Sequence, residues 1–258
     1  MQLKRFIVLK YCLINLAFVL TGYLVNAQNA YQNTSLPIDE RVNDLVSQMT
    51  LAEKITQLGN QSSAITRLGI PAYDYWSEAL HGVARSGLAT SFPQAIALSS
   101  TWNPELIYQM ASAISDEARV KNNTEGKGLT YWCPTINMAR DPRWGRSEEN
   151  YGEDTYLTSQ MAVNFIKGMQ GNDPKYLKTV ATAKHFACNN IEVNRYGISS
   201  EVDERSLREY YLPAFKACVK QGKVFSIMSA YNALNGVPCP ANRTLLTNIL
   251  RMYYLAIF

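Results

Sequence analysis

Four short polar clusters carry the residue types that hold or cleave polar ligands. Lys184-His185 directly follows the apolar run Val180-Ala181-Thr182-Ala183. A bare cation in an apolar interior costs several kcal/mol, so this pair either faces a polar pocket or is a rim lysine beside a structural histidine. The segment from Arg140 to Glu149 sets three arginines and three carboxylates around Trp144. Either ion pairs stiffen that loop, or Arg146 presents its forked N–H donors to neighbouring hydroxyl oxygens while carboxylates fix its orientation. Glu78 with His81, and Tyr231 with Asn232, complete the set. Trp132 and Trp144 suit stacking on a flat ligand face, and equally suit a core.

Other chemistries lack their residues. The chain has only two histidines, with no His-Glu-x-x-His and no paired cysteines, so neither a metal nor a cofactor is expected. No Gly-x-Ser-x-Gly elbow supports Ser–His–Asp hydrolysis. The formal charge of +4 comes from 25 Lys+Arg against 21 Asp+Glu. Lys4, Arg5 and Lys10 supply most of that excess; beyond residue 27 the balance is 22 − 21 = +1. So weak a field argues against nucleic acid as a partner.

The elements that must position these clusters alternate. Thr50-Leu51-Ala52-Glu53 has capping-box spacing. Asn103-Pro104 reads as a cap with proline at the first helical position, opening a helix to about Val120. A further helix is expected from about Asp154 to Lys167, stopping at Gly168, with Leu157, Met161 and Phe165 on one face. Ser206-Leu207-Arg208-Glu209 reads as a second capping box, starting a helix that bends at Pro213 and ends near Gly222. Asp203 reads as part of that helix start. Strands are expected at Tyr73–Trp76, Ala95–Leu98, Leu129–Cys133, Thr179–Ala183 and Val224–Met228. Repeated βα units mean a doubly wound sheet or a (β/α)8 barrel, and the lack of Gly-x-Gly-x-x-Gly after any strand favours the barrel. In such a barrel polar residues at strand ends gather at one face, where all four clusters fall.

Residues 1–27 have a basic start, an apolar stretch from Tyr11 to Val25 broken by Asn15, and the small-residue ending Val25-Asn26-Ala27. This is the form of a secretory signal. The apolar run is shorter than the about 18–20 residues a membrane span needs. Export to a periplasm or the outside is expected, with no membrane partner after cleavage. Cys133, Cys188, Cys218 and Cys239 are spaced as scattered buried thiols rather than a disulfide framework.

Four motifs, in order, resemble the N-terminal domain of glycoside hydrolase family 3: Tyr75-Trp76-Ser77-Glu78-Ala79-Leu80-His81-Gly82-Val83, Arg140-Asp141-Pro142-Arg143-Trp144-Gly145-Arg146, Ala183-Lys184-His185-Phe186 and Met228-Ser229-Ala230-Tyr231-Asn232-Ala233. The similarity runs from about Leu36 to Arg251 and is strongest to the β-xylosidase branch, with β-glucosidases related. It implies an α/β fold, a (β/α)8 TIM-type barrel spanning 28–251 and incomplete because its last strand or strands are lacking, followed by an apolar tail at 252–258. It also implies an exo-acting, retaining β-glycosidase of carbohydrate breakdown, acting on β-linked oligosaccharides or aryl glycosides. By resemblance Glu78, Arg146, Lys184, His185 and Tyr231 line the subsite of the terminal sugar, with Trp132 beside them.

Many glucosidases of the family carry Asp where this chain has Glu78, and the extra methylene would intrude on the space of a glucose hydroxymethyl. A pentose, hence xylo-oligosaccharide, is the expected substrate. Family members place the nucleophile Asp in a Ser-Asp segment beyond the position of Arg251 and draw the acid/base Glu from a second domain. Neither motif occurs here, so no catalytic residue is assigned and the chain by itself is expected to be inactive. A β-glucosidase and a non-catalytic sugar-binding remnant are the other readings.

Overall fold

The computed structural model describes residues 29–254. Residues 1–27, expected to direct export, and the tail residues 255–258 lie outside that range. By its contacts the chain divides into two compact units, one up to Gly59 and one from Asn60 onward.

In the first unit, helices α1 (Ile38–Gln48) and α2 (Leu51–Thr56) follow a short 3-10 turn. The capping box forms as its spacing predicts. Thr50 Oγ1 accepts the Glu53 N–H, and Glu53 accepts the Thr50 N–H at 2.8 Å.

The second unit is built from successive strand–helix segments. Two-residue strands β1 (Gln61–Ser62) and β2 (Tyr73–Asp74) pair antiparallel. The segment expected to open a parallel sheet therefore lies in a small hairpin-like ladder instead. Helix α3 (Ala95–Ser99) replaces the strand expected at Ala95–Leu98. Short apolar runs do not separate strand from helix by periodicity, and here burial of Ala95, Leu98 and Ser99 follows helical spacing. Helix α4 (Pro104–Glu125) is capped by Asn103, whose side chain accepts the Leu106 N–H at 3.1 Å, and ends at Gly126 with φ 68°.

The parallel sheet has the order β3-β4-β6: β3 (Thr130–Tyr131), β4 (Val180–Phe186) and β6 (Ser226–Ser229). Helix α5 (Thr155–Gln170) crosses from β3 to β4, and α6 (Pro213–Lys220) lies between β4 and β6. Neighbouring helices pack, α4 on α5 and α5 on α6. Helix α5 runs straight through Gly168, where a stop was expected, and ends at Gly171. A Cβ at Gly168 would lie 2.5 Å from the Tyr108 carbonyl oxygen of α4. That glycine serves a helix–helix approach, not a terminus.

The second capping box does not form. Asp203 is the cap, accepting the Ser206 N–H at 2.9 Å, and Ser206 lies inside the first turn. A π-helical turn, Leu207–Tyr211, then hands over to α6, which starts afresh at Pro213. A small sheet of β5 (Ser199–Ser200), β7 (Ala233–Leu234) and β8 (Val237–Pro238) flanks the loops that follow β4 and β6. The four described cysteines are free and buried. No helix of the described residues is long and apolar enough to cross a membrane.

Candidate functional site

Lys184-His185 lies near the end of the β4 run, just before Phe186 closes the strand, and both are buried, at 5% and 2% exposure. Successive strand side chains ordinarily point to opposite faces. Here the pairing of β4 with β6 shifts register between Lys184 and Phe186, an irregularity of the kind that re-aims side chains at strand ends.

Lys184 Nζ reaches Glu78 Oε2 at 3.0 Å and Oε1 at 3.3 Å. Glu78 comes from the loop after β2, held where its carbonyl accepts the Ala84 N–H at 2.8 Å. The loop turns at Gly82, with φ 130°, where a Cβ would sit 2.1 Å from the Thr90 carbonyl oxygen. Trp76 Nε1 also donates to Glu78 Oε1, at 3.3 Å. A cation and a carboxylate from distant parts of the chain thus meet at the strand ends.

Arg146, on the loop after β3, donates from Nε to Glu149 Oε1 at 2.8 Å and from Nη2 to Oε2 at 2.6 Å. This two-pronged pair fixes the guanidinium plane. Burial opposes ionisation of Glu149, but its Arg146 hydrogen bonds and charge outweigh that and hold its pKa below the ordinary value. The remaining Arg146 nitrogen, Nη1, lies 3.3 Å from His185 Nε2.

The histidine tautomer follows from its other neighbour. Asn137 Oδ1 accepts the His185 backbone N–H at 2.9 Å and faces Nδ1 at 3.1 Å. A carbonyl oxygen only accepts, so Nδ1 carries the proton and Nε2 is left as an acceptor. Burial, then the charges of Arg146, Lys184 and Arg195, push the imidazole well below its ordinary pKa of 6.5. The ring is neutral at pH 7.

Its linkage has a definite sign. Below pH 6.5 the unfolded chain protonates this imidazole while the folded one does not, so the unfolded state binds more protons and stability falls as pH falls. Above 6.5 the contribution is flat. The slope approaches ~1.4 kcal/mol per pH unit below that point. Thermal melts at pH 7.5 and 5.5 are expected to show a smaller acid loss in His185→Gln than in the wild type; equal losses would contradict the assignment.

Tyr231 follows β6, with its ring centroid 5.8 Å from His185. The Arg195 guanidinium lies 4.4 Å over the Tyr231 ring, and Tyr196 meets it edge-on at 5.1 Å. Trp132 follows β3 and stacks on Trp76 at 5.4 Å with 16° between the planes, so one of its faces is already covered. Trp144 is buried, and its Nε1 donates to Glu192 at 3.1 Å, which is the core alternative for that indole. A cavity of about 510 Å³ opens beside the cluster, lined by Glu78, His81, Gln94, Arg146, Glu149 and Lys184.

All six residues singled out from the sequence therefore lie around the ends of β3, β4 and β6 and the loop after β2. Glu78, Lys184 and Arg146 border the cavity directly; His185 contacts Arg146, Tyr231 contacts His185, and Trp132 reaches the group through Trp76. The sequence reading passed over Asn137, Trp76 and Arg195. Only Asn137 had a signal, as an amide just past an apolar strand.

Residues 37–254 match the family described as glycosyl hydrolase family 3 N terminal domain. The chain belongs to this family. An exo-1,4-β-xylosidase of Emericella nidulans (bxlB) is 44% identical over 237 residues, covering 86% of this chain and 31% of the relative. β-D-xylosidase 3 of Arabidopsis thaliana is 42% identical, with 85% of this chain and 30% of the relative covered. Among solved structures, a family 3 exo-β-xylosidase (XlnD) in complex with a xylobiose aziridine activity-based probe superposes with a TM-score of 0.82 at 38% identity, over 87% of this chain and 31% of that one. β-Glucosidase 3B of Thermotoga neapolitana gives a TM-score of 0.72 at 34% identity, over 83% of this chain and 32% of that one. The family 3 chain described here thus spans about a third of the length of these relatives, and its strand–helix units are those of a TIM-barrel-like α/β fold.

Proposed function

We propose that this family 3 chain holds the terminal, non-reducing sugar of a β-linked xylo-oligosaccharide for an exo-acting, retaining β-xylosidase. The observation that carries the reading is the meeting of Glu78, Lys184 and Arg146 on one cavity, each fixed by a charged partner. Lys184 and Arg146 supply N–H donors and Glu78 accepts from hydroxyl groups, while the unprotonated Nε2 of His185 faces Arg146 Nη1 and helps to hold the guanidinium. Such a rigid array grips ring hydroxyls, and its hydrogen bonds strengthen as the ring flattens toward an oxocarbenium-like state. Tyr231 and Trp132 add ring surface beside it.

Retention needs a carboxylate nucleophile and a second carboxyl group ~5–5.5 Å away. Three carboxylates near the strand ends are committed to other partners. Glu149 is tied to Arg146, Asp141 to Arg143, and Asp203 caps a helix. The role proposed for the residues around this cavity is therefore to bind the sugar. Export of the protein belongs to the same proposal, supported by the basic start, apolar run and small-residue ending of residues 1–27.

Calorimetry of the full chain with xylose, xylobiose and glucose tests the reading; failure to bind any of them would overturn it. The pentose preference rests on Glu78, whose position is fixed from two sides by Lys184 and Trp76. One methylene in such a pocket is worth about 1–3 kcal/mol. Glu78→Asp is accordingly expected to raise glucose affinity relative to xylose by about tenfold, and an unchanged ratio would return the choice to the β-glucosidase reading.

A further inference from the structure

We propose that Arg85 is a positioning residue for the sugar site, acting through Trp76 to fix the Glu78 carboxylate that selects the sugar. This rests on the placement of Glu78 against the ligand proposed above.

The Arg85 guanidinium carbon lies 3.7 Å from the Trp76 ring centroid, directly over its outer face. Trp132 packs on the same indole, its ring nearly parallel. The indole is thus stacked on by both a cation and an aromatic ring, although Trp76 is 38% exposed. What the stack holds still is the Trp76 Nε1–H, whose acceptor is Glu78 Oε1. Lys184 and Trp76 approach the same carboxylate, so turning the indole out would leave Lys184 as its sole side-chain partner among those seen here.

The loop is shaped to deliver Arg85. Glu78 and Ala84 form an isolated antiparallel bridge, which folds the chain back on itself and brings residue 85 to residue 76. The backbone at Arg85 adopts φ 62°. Glycine would take that left-handed conformation at lower cost, so the turn alone does not account for an arginine. The base of the stack is pinned as well. Asp74 Oδ1 accepts the Trp76 N–H at 2.8 Å, and that bond foremost, with the Arg85 charge adding to it, holds the Asp74 carboxyl below its ordinary range.

A planar guanidinium stacks where an ammonium sits as a point charge, and a cation over an exposed indole contributes a two- to fivefold effect. In the full chain, Arg85→Ala is expected to weaken xylose binding about threefold and to lower the xylose-to-glucose preference, with Arg85→Lys recovering part of both. The far-UV exciton couplet of the stacked Trp76–Trp132 pair in circular dichroism is expected to shrink in Arg85→Ala. Trp76→Phe removes the N–H, and adding Arg85→Ala to it is expected to change nothing more. Wild-type binding and preference in Arg85→Ala, or effects that simply add in the double variant, would overturn the proposal. If the unmodified chain binds neither sugar, the function proposed above fails by itself. The couplet then decides the clamp: a loss in Arg85→Ala supports it and an unchanged signal overturns it.

Discussion

Lys184→Met is expected to weaken xylose binding by about 30-fold, the largest loss from any single change at the site. The ammonium is almost fully withdrawn from water, its side chain 6% exposed, yet its visible partner is one carboxylate. Hydrogen bonds to charged groups contribute about 1.5–3 kcal/mol each, and a ligand hydroxyl meeting this cation competes with no solvent. Met fills the same volume, so the loss isolates the charge. Stability is expected to fall by only ~1–2 kcal/mol, because Glu78 keeps 28% of its side-chain exposure and water can replace the lost partner. Calorimetry and a thermal melt on the same preparation separate the two effects. Unchanged affinity with a lowered melting temperature would make Lys184 a structural cation and no more.

Gly168→Ala has the largest expected cost in stability, and the intrinsic preference of the helix points the other way. In an isolated helix alanine is favoured over glycine by about 1 kcal/mol. Here a Cβ would meet Tyr108 O at 2.5 Å, Ala111 Cβ at 2.7 Å and Ser112 N at 3.0 Å, mostly main-chain atoms of α4 that cannot rotate away. Ser115 Oγ also donates across the same contact to the Gly168 carbonyl at 3.0 Å. Forcing α4 and α5 apart is expected to cost ~2–4 kcal/mol net, or roughly 5–10 °C in Tm for a domain of this size. A raised Tm would show that the two helices can separate without loss.

The same glycine shows what a sequence hides. Gly168 was expected to end a helix because glycine does so locally; its actual reason is a neighbour more than fifty residues away in the chain, invisible to any window. Ala95–Leu98 misled differently, since four consecutive apolar residues satisfy strand and helix alike until their burial is known. Two local capping signals held, Thr50 with Glu53 and Asn103 with Pro104, whereas the equally local Ser206 with Glu209 gave way to Asp203. Strand β3 falls within its expected run, while β4 and β6 overlap theirs and extend past them to Phe186 and Ser229. Polar residues at strand ends were legible because burying them without a partner is so costly. Their second layer was not. Asn137, bonded to His185 through both ends of its amide, carried only the faint signal of an amide past a strand, and Trp76, acting through one N–H, carried none.

The four buried thiols give the chain an internal clock. Burial pushes Cys133 and Cys218 above the ordinary thiol range and Cys188 to about 12, and it raises Cys239 as well. Thiolate, the reactive form, is therefore scarce while the walls around each sulfur stay closed. Any alkylating reagent must wait for those walls to part, so its uptake counts openings rather than encounters. Because the four sulfurs are distributed from β3 to the segment after β8, the order of their modification would reveal which wall gives way first.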